Sequence, residues 1–326
     1  MNKKLDTGPY RGVRDFFPED MRILKWMFEK IRKVVESYGY VEYGASILEP
    51  TELYAAKSGE EIVNEQTYTF TDRGGRSVTL RPEMTPTAAR MVAARRRDLG
   101  FPLRWYSIPN LFRYENPQKG RQREHWQLNA DIFGISGVEA EIEIISLACA
   151  IMKGFGAKDE DFEIRVGTRA WLDFLVLDLD GKIDSEEKKK ELFRLIDIKE
   201  KDREKYLAGL KKLDIPPFEL ENQNVSDEFL KNIGIKDLFE KLHAKGIKNI
   251  NFDKSIVRGF DYYTGMVFEV FDTHADNRRS LFGGGRYDNL FEMFGVEPIP
   301  TVGFGMGDIT IRDFLETHDL PLSTKR

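Results

Sequence analysis

Polar and apolar side chains alternate within RQREHWQLNADI, at residues 121–132. Because successive side chains of a β-strand point to opposite faces, this stretch predicts a strand with one apolar and one polar face. The apolar face comprises Trp126, Leu128, Ala130 and Ile132. The polar face comprises Arg121, Arg123, His125, Gln127, Asn129 and Asp131. Such a face fits either solvent or a polar ligand cavity.

The neighbouring charges favour the cavity. Arg113 and Glu115 stand together on the preceding strand of the same predicted hairpin. The polar face is also graded, with two arginines near the hairpin tip and Asp131 at the far end. This grading suits a ligand with one anionic end and one cationic or hydrogen-bonding end. Because arginine presents planar forks to phosphate and carboxylate, several converging arginines indicate a nucleoside triphosphate.

A second polar cluster precedes a predicted helix. Thr79, Arg81 and Glu83 share one strand face, and Thr85 follows them. Glu83 could hold an ammonium group, or it could pair with Arg81 or the helix terminus. Thr85 could equally be a plain N-cap of the helix.

Glycines recur at every second position in TVGFGMG, as Gly303, Gly305 and Gly307. Glycine weakens a strand interior, so three on one face predict close approach by a flat ligand or another backbone. The run Gly283–Gly285 is more typical of a turn, and neither phosphate-binding glycine fingerprint occurs in the sequence. The four histidines are scattered, so no metal site is predicted from protein side chains.

The elements that must position these residues follow from hydrophobic periodicity and from glycine and proline positions. The pattern predicts helices at 18–38, 86–97 and 138–153, the second with Thr85 as its N-cap and the last with Gly154 as its stop. It also predicts a strand at 40–50 and hairpins at 66–83 and 103–134. Residues 170–250 are rich in both charges and predict an inserted helical subdomain. Strands return from residue 255, so residues 1–169 and 251–326 together predict one antiparallel α+β domain.

Composition restricts the class of protein. The chain has 326 residues, of which 41% are hydrophobic, so it is not a disordered chain. No apolar run is long enough to span a membrane. Cys149 is the only cysteine, which predicts a core residue in a protein of the reducing cytoplasm. The net charge is 50 − 55 = −5, so an RNA or phosphate ligand would have to meet a local basic patch.

Together these stretches resemble the histidyl-tRNA synthetases, a class II aminoacyl-tRNA synthetase family, over nearly all of residues 8–315. Residues 112–134, FRYENPQKGRQREHWQLNADIFG, resemble motif two, and ILEPTELY resembles motif one with Pro50 at a dimer interface. LRPEMTPTAAR and IVRGFDYYTGMVFEV are similar to two stretches peculiar to the histidine enzyme, and GGGRYDNLFEMFG with PTVGFGMG resembles the approach to motif three. The resemblance implies a class II antiparallel sheet flanked by helices, with a helical insertion.

The resemblance also implies a reaction: ATP-dependent activation of L-histidine to histidyl-adenylate, then transfer to tRNA(His), by a cytoplasmic homodimer using ATP with Mg²⁺. It assigns Arg258 and Arg113 to catalysis at the α-phosphate. Histidine binding falls to Glu83, Thr85, Arg113, Gln127, Asp131, Arg258, Tyr262 and Tyr263. ATP binding falls to Arg113, Glu115, Arg121, His125 and Gly305, and the tRNA acceptor end to Gln118, Lys119 and Arg123.

The sequence departs from the family pattern at the predicted adenine site. His125 stands where the family often has a stacking aromatic ring, and Thr310 stands at the motif-three arginine position. We hypothesise that the His125 imidazole stacks on adenine; the sequence leaves open whether Arg312 reaches the base. The chain ends after motif three, so we expect the anticodon-binding domain of about 100 residues to be absent.

Two alternatives remain at this point. A regulatory paralogue that senses histidine in histidine biosynthesis would explain the missing domain and the absent arginine. It would not need Arg113, Arg121 and Arg258. An RNA-binding module without catalysis would not need so polar a small-ligand face.

Overall fold

The computed structural model of the protein describes residues 5–55, 66–116, 120–179, 181–199, 202–217, 225–256, 263–277 and 279–322. The described strands are β1 (Val41–Glu42), β2 (Leu48–Pro50), β3 (Tyr68–Thr71), β4 (Ser77–Leu80), β5 (Leu103–Ser107), β6 (Asn110–Phe112), β7 (Glu124–Phe133), β8 (Phe162–Thr168), β9 (Ile250–Phe252), β10 (Met266–Asp272), β11 (Ser280–Arg286) and β12 (Thr301–Gly307).

Nine of these strands form one sheet, in the order β1-β5-β7-β12-β11-β10-β8-β9, with β6 also paired to β7. The pairs from β5 through β8 are antiparallel, whereas the outermost strands β1 and β9 pair in parallel with β5 and β8. Strands β2, β4 and β3 form a small separate sheet. The large, mostly antiparallel sheet confirms the predicted α+β class.

The described helices are α1 (Pro18–Ser37), α2 (Thr51–Ala55), α3 (Thr85–Arg95), α4 (Glu139–Phe155), α5 (Arg169–Asp178), α6 (Glu186–Ile198), α7 (Arg203–Lys212), α8 (Asp227–Asn232), α9 (Ile235–Ala244) and α10 (Asp308–Thr317). Two 3₁₀ segments occupy Ala275–Asn277 and Asp288–Phe294. Among these helices, none has the length and apolar character needed to cross a bilayer.

The apolar face of the large sheet is covered by helices. Leu128 of β7 and Phe304 of β12 lie in one buried cluster with Ile31 of α1 and Ile145 of α4. Cys149 belongs to this cluster and is a free, buried thiol, as predicted. Because one face of the sheet is used for the core, the alternate side chains of β7 must lie on the other face.

One end of that other face is closed by a second apolar cluster. Phe133, the last residue of β7, packs with Ala88 and Val92 of α3 and with Phe291 of the Asp288–Phe294 segment. The Phe133 and Phe291 rings meet edge-on at 6.1 Å. The C-terminal end of the polar face of β7 is therefore shielded from solvent.

The charged stretch after β8 is helical, as its pattern predicted. Trp171, Leu192, Phe193, Tyr206 and Leu210 belong to a core of their own, contributed by α5, α6 and α7. Helix α9 differs, because its Ile235, Leu238 and Leu242 join the main core beneath the sheet. The domain boundaries at 170 and 250 remain predictions.

Four local predictions were wrong. The run Gly283–Gly285 is not a turn, because it lies inside strand β11 and pairs with β10 and β12. The predicted single strand at 40–50 is two short strands in different sheets, β1 and β2. Helix α4 continues past Gly154 and ends at Gly156, whose φ of 103° is the left-handed geometry of a glycine cap. Helix α3 starts at Thr85 itself, with Met84 before it and no side chain capping it.

The close strand packing at Gly284 generates a stability prediction. A Cβ at Gly284 would overlap the carbonyl oxygen of Gly303 and lie 2.5 Å from the Cβ of Phe304, on the core face. Gly284→Ala should lower the free energy of unfolding by about 2 kcal/mol or more, as overpacking does. Urea denaturation measures this change. Gly100→Ala is the control, because Gly100 has open space around it; equal stability of the two variants would contradict the prediction.

Candidate active site

Strand β7 carries the polar residues from His125 to Asp131 across a floor of glycines. Asp131 pairs with Gly303 and Asn129 with Gly305 on β12, and these glycines pair in turn with Gly285 and Gly283 on β11. A Cβ at Gly303 would overlap Asp131 Oδ1, and one at Gly305 would lie 2.5 Å from the Gln127 amide nitrogen. The close approach predicted from the glycine spacing is therefore made by side chains of β7 that lie over the backbone of β12.

Asp131 occupies the closed end of the site. Its side chain is only 3% exposed, and the Tyr287 hydroxyl donates a hydrogen bond to Oδ1. The second carboxylate oxygen, Oδ2, is buried and receives no hydrogen bond from any described residue. Burial raises the pKa of Asp131 to about 7, although the hydrogen bond from Tyr287 lowers it. A buried carboxylate with one oxygen left to accept is suited to a ligand N–H.

Two tyrosines stand beside this carboxylate. The rings of Tyr263 and Tyr287 are 6.3 Å apart. Tyr263 also lies over Gly285, since a Cβ there would be 2.9 Å from its ring. Sequence reasoning predicted Tyr263 but missed Tyr287. The available signal was a hydroxyl-bearing aromatic directly after a glycine-rich strand, in GGGRYD.

The middle of the strand is amide-rich and ends at a neutral histidine. Gln127 donates to Asn129 Oδ1 at 2.6 Å, and Asn129 donates back to the Gln127 carbonyl at 3.1 Å. Burial, then the positive charges of Arg113 and Arg14, lower the pKa of His125 to about 3. His125 is therefore an uncharged, half-buried ring at neutral pH.

Arginines gather at the open end. Glu115 Oε1 is 4.0 Å from Arg113 Nη1, and Glu115 Oε2 is 3.7 Å from Arg121 Nη1. Arg113 Nε donates to the Pro82 carbonyl at 3.0 Å, which places Arg113 next to Glu83 and the start of α3. The structure thus brings Arg113, Glu115, Arg121 and the Glu83–Thr85 segment to one region.

Arg123 lies apart from that group. It is 6% exposed, its Nη1 donates to the Tyr10 hydroxyl at 3.0 Å, and its guanidinium lies 4.1 Å from the Tyr114 ring. The predicted alternation fails here because the chain bends at Arg123, before regular pairing starts at Glu124. Arg123 is thus held inside the chain, and its predicted contact with tRNA remains a prediction.

Other polar candidates support the fold. Arg81 is buried and donates to the carbonyls of Ala45 and Asn110. Thr310 donates to the Leu281 carbonyl at 2.7 Å, and Arg312 donates to Glu316 at 2.9 Å. These hydrogen bonds hold Thr310 and Arg312 to neighbouring parts of the fold and do not direct either side chain toward the predicted adenine site.

Four predicted site residues lie outside the described residues: Gln118, Lys119, Arg258 and Tyr262. Within the described part of the chain, no group of three or more histidines, cysteines and carboxylates is arranged to hold a metal ion.

The raised pKa of Asp131 generates a prediction about stability and pH. The carboxyl ionises at about 7 in the folded protein but near its ordinary value of 3.8 when unfolded. Between these two values the unfolded chain holds fewer protons, so the wild type loses stability as pH rises from about 4 to 7. Asp131→Asn removes this titration. The difference in unfolding free energy, variant minus wild type, should therefore increase as pH rises from about 4 to 7 and stay constant above pH 7. A difference independent of pH, in denaturation series from pH 4 to 8, would contradict the prediction.

Comparisons with known proteins identify the family of this chain. The family model described as Histidyl-tRNA synthetase matches residues 12–308. A histidine–tRNA ligase of Leptospira biflexa is 47% identical over 98% of this chain and 76% of that protein. One from Thermoplasma volcanium is 43% identical over 94% of this chain and 74% of that protein.

A solved structure shares the architecture as well. The protein from Bacillus halodurans, described as an ATP phosphoribosyltransferase regulatory subunit/histidyl-tRNA synthetase, superposes with a TM-score of 0.80. It is 26% identical, and the match covers 97% of this chain and 84% of that one. With a family model spanning the sheet and the whole polar strand, the chain belongs to the histidyl-tRNA synthetase family.

Proposed function

We propose that the protein activates L-histidine with ATP, forming histidyl-adenylate, and transfers the histidyl group to tRNA(His). The observation that carries this proposal is Asp131, a buried carboxylate held by Tyr287 with Oδ2 left to accept a hydrogen bond. An imidazole N–H fits this acceptor, and relatives named histidine–tRNA ligase support the same substrate.

The polar strand can hold both substrates in line. A strand rises about 3.3 Å per residue, so His125 and Asp131 are roughly 20 Å apart along β7. Histidine would place its ring between Asp131 and Tyr263, with Tyr262 beside it. Its ammonium group would lie near Glu83, Thr85 and Gln127. This orientation turns the amino-acid carboxylate toward Arg113.

The arginines suit the chemistry of adenylation. The histidine carboxylate attacks the α-phosphorus of ATP, a P–O bond forms, and the bond to the pyrophosphate leaving group breaks. Arg113, with Arg258 from the stretch IVRGFDYYTG, would stabilise the charge that develops on the non-bridging oxygens. One such preorganised donor contributes roughly 3–4 kcal/mol in comparable sites. Arg121 would bind the outer phosphates.

The rest of the nucleotide would lie along His125 and Gly305. Mg²⁺ prefers oxygen ligands and usually keeps phosphates and water in its shell. Glu115 already faces the Arg113 and Arg121 guanidinium groups, so phosphate oxygens and water would supply the ligands of the ion. Bound there, the ion would supply charge neutralisation on the phosphates. Gln118, Lys119 and Arg123 remain the proposed contacts to the tRNA acceptor end.

Exposed apolar residues support the proposed homodimer. Ile47, Leu48 and Phe70 are exposed on or beside the small sheet that contains Pro50. Exposed apolar groups of this kind mark interaction surfaces. A cytoplasmic location is proposed from the single cysteine, whose thiol is free and buried.

Histidine-dependent exchange of labelled pyrophosphate into ATP tests the proposed activation step, and charging of tRNA(His) tests the transfer. Histidine binding without exchange would instead favour a regulatory histidine sensor. The identity of 47% to a relative named histidine–tRNA ligase, over 98% of the chain, favours the enzyme.

Replacement of Arg113 should abolish most of the exchange activity. Arg113→Gln removes a charge at the reacting phosphate, so kcat/KM should fall by about 100-fold or more. The matched control is Arg76→Gln, which removes an exposed arginine paired with Asp72 in the β3–β4 turn. A folded Arg113→Gln protein with exchange within threefold of the wild type would refute the role of Arg113.

Replacement of Asp131 should act on histidine and not on ATP. Asp131→Asn removes the ionised acceptor of the imidazole N–H, a charge-assisted hydrogen bond, so KM for histidine should rise about 30-fold. KM for ATP should stay within about twofold. Steady-state exchange kinetics at pH 8 give both constants. Parallel increases in the two KM values would argue against a specific contact with the ring.

A further inference from the structure

The N-terminal segment from Tyr10 to Phe16 runs along the first residues of β7. The Arg123 amide donates to the Gly12 carbonyl at 2.6 Å, and the Phe16 ring meets the Trp126 ring at 5.1 Å. Arg14 lies between these two fixed points. The segment therefore brings Arg14 level with His125.

One buried carboxylate holds Arg14 in place. Asp308 Oδ2 is 2.8 Å from Arg14 Nη2, and Asp308 Oδ1 accepts the Trp126 amide at 2.9 Å. Asp308 is 7% exposed and is the first residue of α10. The same carboxylate thus fixes the guanidinium to the strand that carries His125 and Gln127.

The guanidinium retains unused binding capacity. Arg14 Nε is buried and donates to no described residue. Its charge also reaches the site, since Arg14 and Arg113 both disfavour protonation of His125. An uncharged imidazole with a planar cation nearby is suited to a flat, neutral aromatic ligand. Guanidinium groups stack on such rings and are weakly hydrated.

The position along the strand indicates which part of a nucleotide Arg14 meets. Arg113, Glu115 and Arg121 form the charged group where phosphates would lie. Arg14 is bonded instead to Asp308 and packs against Phe16 at 4.9 Å. Helix α10 does not place a competing guanidinium here. Position 310 is a threonine that donates to the Leu281 carbonyl, and Arg312 pairs with Glu316 and Asp20.

We propose that Arg14 binds the adenine of ATP, with its guanidinium plane against the base beside His125 and Asp308 as its positioning residue. This inference rests on the proposed function in one respect: it takes ATP as the nucleotide that binds here. It adds a nucleotide-binding residue from the N-terminal segment, outside the stretches that resemble motifs one, two and three.

Direct binding tests this role without requiring catalysis. Equilibrium dialysis of AMP, of inorganic tripolyphosphate and of histidine compares the wild type with Arg14→Ala and Arg14→Lys. We expect the AMP affinity to fall about tenfold in Arg14→Ala and at least about threefold in Arg14→Lys, which keeps the charge but not the plane. Tripolyphosphate and histidine affinities should stay within about twofold. Arg76→Ala is the control, with no expected change.

Each other outcome is decisive. Unchanged AMP affinity in a folded Arg14→Ala protein overturns the proposal, and so does an equal loss for tripolyphosphate, which would make Arg14 a phosphate ligand. A parallel loss of histidine affinity would make it a purely structural residue. If Arg14→Ala does not fold, Arg14→Lys and Asp308→Asn carry the test, and both should weaken AMP binding selectively. A wild type that binds AMP but shows no pyrophosphate exchange would refute the proposed function while leaving this inference standing.

Discussion

The site depends on keeping the Asp131 carboxylate in a place that water does not reach. Burying a charge is costly unless hydrogen bonds compensate it, and here the Tyr287 hydroxyl supplies one bond to Oδ1. The compensation is incomplete, because burial still raises the pKa of Asp131 to about 7. A ligand N–H at Oδ2 would complete it. Under the proposed function, selectivity for an imidazole would follow from this incomplete compensation of the buried carboxylate.

That arrangement imposes requirements on three neighbouring strands. Asp131 and Tyr287 can meet over β12 only because Gly303 has no side chain. The preceding residue, Arg286, makes two hydrogen bonds from its guanidinium to Glu141 of α4, at 2.5 and 2.7 Å. Breaking such a buried pair would leave an uncompensated charge. The chain next to Tyr287 is thus anchored to the helix beneath the sheet.

Regular periodicity made part of this site predictable. From His125 to Asp131 the chain is a paired strand, so alternation correctly placed the polar side chains on one face. It failed at Arg123, where the bend ends the two-residue period and Tyr10 and Tyr114 surround the guanidinium. Partners such as Tyr287 and Arg14 lie 156 and 294 residues from Asp131 and Asp308. The sequence GGGRYD could mark Tyr287 as a candidate residue, but its pairing with Asp131 depends on the order of the strands, which local sequence does not encode.

The geometry of the arginines separates those that support the fold from those available to a ligand. Arg104 makes paired bonds to Glu143 and Arg286 makes paired bonds to Glu141, all at 2.5–2.7 Å. Arg81 donates to the carbonyls of Ala45 and Asn110 and to the Asn110 side chain. Arg113 and Arg121 instead share Glu115 at 4.0 and 3.7 Å. Ion pairs this long and partly exposed contribute little to stability. A phosphate that replaced Glu115 as the partner of these arginines would therefore cost little free energy. Arg14 combines both kinds, with one short bond to Asp308 for position and a buried Nε with no described acceptor. Held by a carboxylate yet not saturated, such an arginine stays charged, oriented and able to bind.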